Sequence, residues 1–152
     1  MKTNWSALTY YENLDRVRLH ISCHFCEPLS LETLAGIAGT EAKHLSGFFH
    51  RKTGMKLMVY LGLVRLRAAV ALMQRSNRNL LTIAMDVGFG SLRTFERTFQ
   101  RYLGRSPNVF RSAVTHASLR PQAQIATLIP HHLKAFFSGT LEIPRKRTVW
   151  AV

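Results

Sequence analysis

The sequence predicts an all-α domain of seven helices in which one two-helix unit occurs twice. The first observation is an internal repeat, because residues 34–54 and 83–104 share the order of their apolar and glycine positions. The second is a long apolar stretch over 57–73, whose residues recur every three or four positions as in a buried helix. The third is the charge, 21 Lys+Arg against 8 Asp+Glu in 152 residues, which favours polyanionic partners.

The two copies of the repeat are related by an offset of 49 residues that changes to 50 after a glycine. Gly39 matches Gly88 at the first offset, and the second turn therefore contains one extra residue. Each copy consists of a short apolar helix, a turn at a glycine and a second capped helix, which is a helix-turn-helix unit. The pairs that match at the second offset are Leu45/Phe95, Phe49/Phe99, Arg51/Arg101, Gly54/Gly104 and Val59/Val109.

Capping residues and helix breakers give approximate helix boundaries. Ser30 and Ser91 are expected to cap the first helix of unit one and the second helix of unit two, and Pro107 suits a first helical turn. The expected helices are Tyr11–Phe25, 31–37, Glu41–Lys52, Lys56–Gln74, Leu80–Asp86, 92–102 and Pro107–Ala113. These boundaries place unit one at about 29–54, a linker helix at about 56–74 and unit two at about 80–104, within a domain of residues 1–115.

The remaining residues, 116–152, are expected to form a linker and a tail. The stretch 116–127 has linker composition, and Leu141–Val152 contains strand-like segments. The same stretch contains the basic run Arg145, Lys146 and Arg147.

Catalysis and metal binding find little support in the sequence. Cys23 and Cys26 form a C-x-x-C pair beside His20 and His24, but no second such pair follows, so a metal- or redox-responsive module is the weakest hypothesis. The seven histidines stand in no catalytic motif, and we expect neither an enzyme nor a cofactor. Because no signal peptide or stretch of about 20 apolar residues is evident, we expect a soluble cytoplasmic protein without membrane contact.

Two runs of residues resemble the AraC/XylS family of regulators. The first is Pro28-Leu29-Ser30-Leu31-Glu32, Leu34-Ala35, Leu45, Phe48-Phe49, Thr53-Gly54 and Arg65-Leu66. The second is Gly88-Phe89-Gly90-Ser91, Phe95, Arg97, Phe99, Arg101, Gly104, Ser106-Pro107 and Arg111. The resemblance covers roughly residues 10–112 and implies a seven-helix domain that binds promoter DNA and usually activates transcription, with RNA polymerase as a further partner. Because some regulators of this family carry a C-terminal effector domain, the resemblance leaves two interpretations of 116–152 open. The tail is either the start of a truncated effector domain that is partly β, or a disordered basic tail in which Arg145, Lys146 and Arg147 add nonspecific DNA affinity. The chain differs from the family pattern at Glu41, where Ser is usual, and at Gly47, where a long polar residue is usual.

The recognition helices, the second helix of each unit, carry the expected contacts to base edges. In 92–102 the aromatic pair Phe95 and Phe99 marks the buried face, and the opposite face holds Leu92, Arg93, Glu96 and Arg97, positions to which the resemblance also assigns base contacts. In Glu41–Lys52 the corresponding candidates are Lys43, Ser46 and Gly47, and a helix that mainly grips phosphate is the equal alternative. An Arg93–Glu96 ion pair on a solvated face is the alternative for the second helix.

Contacts to phosphate are expected from the helix ends. Arg51, Lys52, Arg101 and Arg105 lie at the far ends of the recognition helices, where positive charge suits both a phosphate and the helix dipole. Ser30 and Ser91 begin helices whose free N–H groups suit a phosphate.

The sequence therefore predicts a regulator that binds duplex DNA in two successive major grooves. A linker helix of about 19 residues spans roughly 28 Å, close to the ~34 Å between successive grooves. The alternatives are a nonspecific architectural DNA-binding protein and, more remotely, the cysteine-based module. The effector ligand is not specified by the sequence.

Overall fold

The computed structural model describes residues 4–115 and 128–138, and all the regular structure in these two ranges is helical. The helices are α1 (Ala7–Tyr10), α2 (Glu12–His24), α3 (Leu31–Ala38), α4 (Ala42–Thr53), α5 (Leu57–Arg75), α6 (Leu80–Asp86), α7 (Leu92–Leu103), α8 (Pro107–Thr115) and α9 (Lys134–Ser138), with a 3-10 turn at His131–Leu133. The predicted all-α fold class is confirmed, since the seven predicted helices are α2–α8.

Local chemistry determines where the helices of each repeat begin and end. The Ser30 hydroxyl accepts a hydrogen bond from the Thr33 N–H at 3.1 Å, and the Ser91 hydroxyl accepts one from the Thr94 N–H at 3.2 Å. Both serines are therefore N-caps, as the sequence predicted. Gly39 ends α3 with φ of 70°, a conformation that a side chain would strain. Its repeat partner Gly88 also has a positive φ, 90°, which confirms the matched turn.

The described chain forms two compact units, and the division between them falls within α5 between Val64 and Arg65. In the first unit α2 packs against α1 and α3, and α4 packs against α1 and α3. The rings of Phe49 and Tyr60 lie 5.8 Å apart and join α4 to the first half of α5. The core of this unit is made of side chains that are almost wholly buried, namely Leu14, Val17, Ile21, Leu34, Leu45, Phe49, Leu57, Tyr60 and Leu61.

The second unit has an aromatic core that follows α7. Phe95 contacts Phe89 at 5.3 Å between ring centroids and Phe99 at 5.5 Å, and Phe99 contacts Phe110 of α8 at 5.3 Å. The successive rings meet edge to face, the geometry that aromatic pairs prefer. Because Phe95 and Phe99 are fully buried, α7 is fixed in rotation about its own axis, and the opposite side of α7 is turned outward.

Two short helices lie where the sequence predicted none. The first is α1, and the second is α9, whose Phe136 is buried together with Ile129 and Leu133. Within the expected tail, residues 131–138 thus form a 3-10 turn followed by α9. The predictions for 116–127 and for Leu141–Val152 lie outside the described residues.

The linker helix α5 is apolar on most of its surface. By length and composition alone it could cross a membrane, but 61% of that stretch is buried inside the protein. Helices of this composition and burial are typical of protein cores, and the prediction of a buried helix over 57–73 is confirmed.

Candidate nucleic-acid interface

The outward side of α7 is the clearest candidate for contact with a polyanion. Arg93 and Arg97 are exposed, and Leu92 and Glu96 are partly exposed, on the side away from the buried Phe95 and Phe99. All four predicted base-contact residues of this helix are therefore accessible. They lie in its first half, and it is the N-terminal part of a recognition helix that meets base edges.

Within residues 4–115 and 128–138, the arginines of α7 form no ion pair with an acidic side chain. Among the residues that the structure describes, the ion pairs join Asp15 to Arg18, His24 to Glu27 and Asp86 to Arg78. The Arg93–Glu96 ion pair, which was the alternative for this face, is not formed in this structure. A guanidinium without an internal partner keeps its five donors available for a ligand.

The α4 helix presents a weaker face. Leu45 and Phe49 are buried, Lys43 is exposed, and Ser46 and Gly47 are partly exposed. The three predicted base-contact positions of this helix are thus accessible, but only Lys43 carries a charge and only Ser46 a hydroxyl.

The start of α4 differs from the start of α7. Glu41 occupies the N-cap position of α4, with φ and ψ of −77° and 151°, but its side chain makes no capping hydrogen bond. The preceding Thr40 hydroxyl instead bonds to the His44 ring at 3.0 Å. The free N–H groups of α4 thus have no hydrogen bond from the side chain of their N-cap residue, whereas α7 has a neutral hydroxyl cap.

The Arg51 side chain extends one helical turn toward the start of α4, and its guanidinium lies over Gly47. A Cβ added at Gly47 would meet Nη1 of Arg51 at 3.1 Å, so the guanidinium occupies space that a side chain at position 47 would need. The sequence predictions did not foresee this contact. The four-residue spacing of a glycine and an arginine on one helix face was the available signal.

The other predicted phosphate-contact residues lie in several different settings. The Lys52 ammonium stands 4.8 Å from the ring centre of Tyr11 and 5.7 Å from that of Phe48. The Arg101 guanidinium lies 5.7 Å from the ring centre of Tyr102 and is exposed. Arg105 is partly buried after the end of α7, and its Nε atom has no hydrogen-bond partner among the described residues.

The two capping serines are positioned differently with respect to solvent. Ser30 is exposed and Ser91 partly exposed, and each hydroxyl also bonds to a threonine hydroxyl of its first helical turn, at 3.1 and 3.0 Å. Both remain close to the free N–H groups that begin α3 and α7.

The cysteine pair does not form a metal site in the described part of the chain. Cys23 and Cys26 are unpaired by disulfide and partly buried, and no group of three or more potential ligands is found among the described residues. The neighbouring His20 and His24 rings stack at 4.4 Å. Burial and the nearby His24 lower the pKa of His20, partly offset by Glu27.

Comparison with known proteins identifies the arrangement of helices. A family model described as "Helix-turn-helix domain" matches residues 34–113, from α3 to α8. The multiple antibiotic resistance protein MarA of Salmonella typhimurium is 29% identical over 119 residues, which are 78% of this chain and 91% of MarA. The chain spans only about two fifths of two further relatives, YfiF of Bacillus subtilis, an HTH-type transcriptional regulator 28% identical, and the transcriptional regulator Rob of Salmonella typhimurium, 29% identical.

Solved structures agree with these relatives. The DNA-binding domain of AdpA, a global transcriptional factor crystallised with a target DNA, is 27% identical and superposes with a TM-score of 0.63 over 72% of this chain and 96% of that domain. The C-terminal domain of AraT, a response regulator from Geobacillus stearothermophilus, is 26% identical with the same TM-score, over 67% of this chain and 85% of that domain. The matched repeat, the two helix-turn-helix units and these relatives together show that the chain belongs to the AraC/XylS family of DNA-binding transcription regulators.

Proposed function

We propose that the chain is a sequence-specific regulator, acting in the cytoplasm as an activator together with RNA polymerase, that contacts two successive major grooves through α4 and α7. The observation that carries this proposal is the outward face of α7, where exposed Arg93 and Arg97 lie opposite fully buried phenylalanines. Because the buried phenylalanines fix the rotation of α7, these accessible side chains leave the helix on one defined side, from which they can reach base edges.

The chemistry of this face suits mixed base contacts. An arginine can donate two hydrogen bonds to O6 and N7 of guanine, a glutamate can accept from N4 of cytosine, and a leucine can pack on the thymine methyl group. We assign these roles to Arg93 and Arg97, to Glu96, and to Leu92. In α4 the corresponding assignment is to Lys43 and Ser46.

Contact with phosphate would supply most of the affinity. Between Lys43 and Arg111 there are thirteen lysines and arginines and two acids, so the excess positive charge is spread along the chain from α4 to α8. We assign phosphate contact to Lys52, Arg101, Arg105 and Arg51, and to the helix starts at Ser30 and Ser91. The 19 residues of α5 span roughly 28 Å, close to one turn of DNA, which supports contact with two grooves.

The decisive experiment is selection of bound duplexes from a random pool, followed by affinity measurements on the selected site. We expect Arg97→Ala to cost about 1–3 kcal/mol on that site and to remove the base preference at one or two positions. Arg101→Ala, the matched control one turn further along α7, should weaken all duplexes alike and reduce the salt dependence of binding. Equal binding to every duplex by the wild-type chain would replace the proposal with the nonspecific architectural alternative.

Hydroxyl-radical footprinting tests the second part of the proposal. Contact with two grooves predicts two protected patches separated by about 10–11 base pairs. A single patch would show that only one unit binds.

A further inference from the structure

We infer that Arg51 contacts a guanine and restores, from one turn away, the base contact that Gly47 cannot make. The inference rests on the proposed function, because it assigns a specificity-determining residue to the first recognition helix. It replaces the assignment of Arg51 to phosphate.

The first step is the comparison of the two repeats. At the offset of 50 residues, Gly47 corresponds to Arg97, and Arg51 corresponds to Arg101. The second unit therefore has arginines at both positions, one for a base and one for phosphate in the proposed function. The first unit has one arginine for the same two positions.

The second step is the direction of each side chain. In α7 the Arg101 guanidinium lies against the ring of its neighbour Tyr102, at 5.7 Å. In α4 the Arg51 guanidinium lies over Gly47, with Nη1 at 3.1 Å from the position of the missing Cβ. The cationic group of Arg51 thus stands where the side chain at position 47 would begin, on the face that corresponds to Arg97.

The third step is the chemistry of the available space. Long side chains on a helix extend toward its N-terminus, which is the end that meets base edges. Arg51 is exposed and belongs to no ion pair among the described residues. Its planar fork matches O6 and N7 of guanine, a geometry that the ammonium group of lysine does not reproduce.

Glycine is a poor residue for the middle of a helix, and at position 47 it has a structural consequence. A Cβ there would displace the guanidinium by a few tenths of an ångström, because 3.1 Å is shorter than ordinary van der Waals contact. Gly47 therefore holds open the path that Arg51 follows. The ligand chemistry that fits this arrangement is the major-groove edge of a G·C pair beneath α4.

The test uses the duplex that the wild-type chain selects from a random pool, together with versions in which each base pair is replaced in turn. Arg51→Lys keeps the charge and removes the fork, so we expect the preference for guanine at one position of the α4 half-site to fall about tenfold. Affinity for an unrelated duplex should change little. Arg101→Lys, the repeat-matched control, should leave every base preference unchanged.

A second variant tests the role of the space over Gly47 rather than the role of the Arg51 side chain itself. Gly47→Leu keeps Arg51 and favours the helix, but fills the space over which the guanidinium lies. We expect the same loss of guanine preference, with thermal unfolding no lower than in the wild type. If Arg51→Lys retains all base preferences while Arg97→Ala loses its own, the inference is overturned and the proposed function stands. If neither substitution alters any preference, the proposed function fails and the inference fails with it.

Discussion

Gly36 and Gly39 show that backbone conformation decides whether replacing a glycine by alanine stabilises or destabilises the protein. Gly39 has φ of 70° and ends the helix, whereas Gly36 lies in the helical interior; an added Cβ would meet no atom within 4 Å at either position. We expect Gly39→Ala to lower the free energy of unfolding by about 1 kcal/mol, because alanine is strained at positive φ. Gly36→Ala should raise it by up to about 1 kcal/mol through helix propensity. Urea unfolding of both variants measures these changes. If both substitutions changed the free energy of unfolding equally, the turn at Gly39 would have adjusted to accommodate alanine without strain.

His20 gives the chain a pH dependence of known sign. Its pKa is lowered in the folded protein, chiefly by burial and then by His24, so between the two pKa values the unfolded chain binds more protons. The stability contributed by neutral His20 is therefore present above pH 6.5 and is lost as pH falls through the folded-state pKa. His20→Gln should flatten the pH dependence of the free energy of unfolding just below pH 6.5. His24→Gln should flatten the same dependence in part, because one cause of the lowered pKa is removed. If the free energy of unfolding of His20→Gln followed pH in parallel with that of the wild type, this prediction would be contradicted.

Sequence rules succeeded at residues whose behaviour is determined by near neighbours. The caps Ser30 and Ser91 and the glycine turn at Gly39 depend on residues within four positions, and local rules describe them well. The rotamer of Arg51 could not be predicted in the same way, because an exposed arginine has many rotamers and only the missing Cβ at Gly47 favours one. The contribution of each candidate site residue to base contact stays a prediction.

At the scale of elements, the sequence predicted the long helices and missed the short ones. The boundaries of α2–α8 agree with prediction to within one or two residues, because each has an apolar period and a cap or breaker. Neither α1, with four residues, nor α9, with five, is long enough to show a period. α9 is stabilised instead by distant residues, including Arg67, whose Nη1 donates to the Phe136 carbonyl across 69 positions at 3.4 Å.

The start of α4 is an element that one substitution should improve in two respects. Glu41→Ser would supply the hydroxyl cap that α7 has at Ser91 and would remove a carboxylate from the proposed DNA side. We expect the free energy of unfolding of the variant to be about 0.5–1 kcal/mol higher than that of the wild type. We also expect it to bind all duplexes more tightly at low salt.

Glu41→Gln separates the two effects of that substitution. It removes the charge without adding a cap, so binding should tighten while the free energy of unfolding does not rise. If only Glu41→Ser tightened binding, capping rather than charge would be the cause.

At the scale of the whole molecule, residues 128–138 extend the second unit beyond the expected helix-turn-helix domain. Ile129, Leu133 and Phe136 are buried, and the Arg67 guanidinium of α5 lies 5.4 Å from the ring centre of Phe136. Arg67 itself is 9% exposed, so the Phe136 ring and carbonyl help to satisfy a charge that is largely removed from water. The segment is thus attached by one aromatic anchor and two aliphatic ones.

Removal of the anchor should release the segment without unfolding the unit. Phe136→Ala creates a cavity and exposes Arg67 to solvent, so the open form of 128–138 should become more populated. The exposed Lys134 at the start of α9 then becomes a better trypsin site, and we expect cleavage after it to accelerate at least about tenfold under mild digestion. Ser138→Ala, which removes only an exposed hydroxyl that bonds to the Lys134 carbonyl, is the matched control and should be cleaved at nearly the wild-type rate. Mass spectrometry of timed digests measures both rates. Rapid cleavage after Lys134 in the wild-type chain would show that the segment is not held in solution, and the contact between Arg67 and Phe136 would then contribute little to the stability of the second unit.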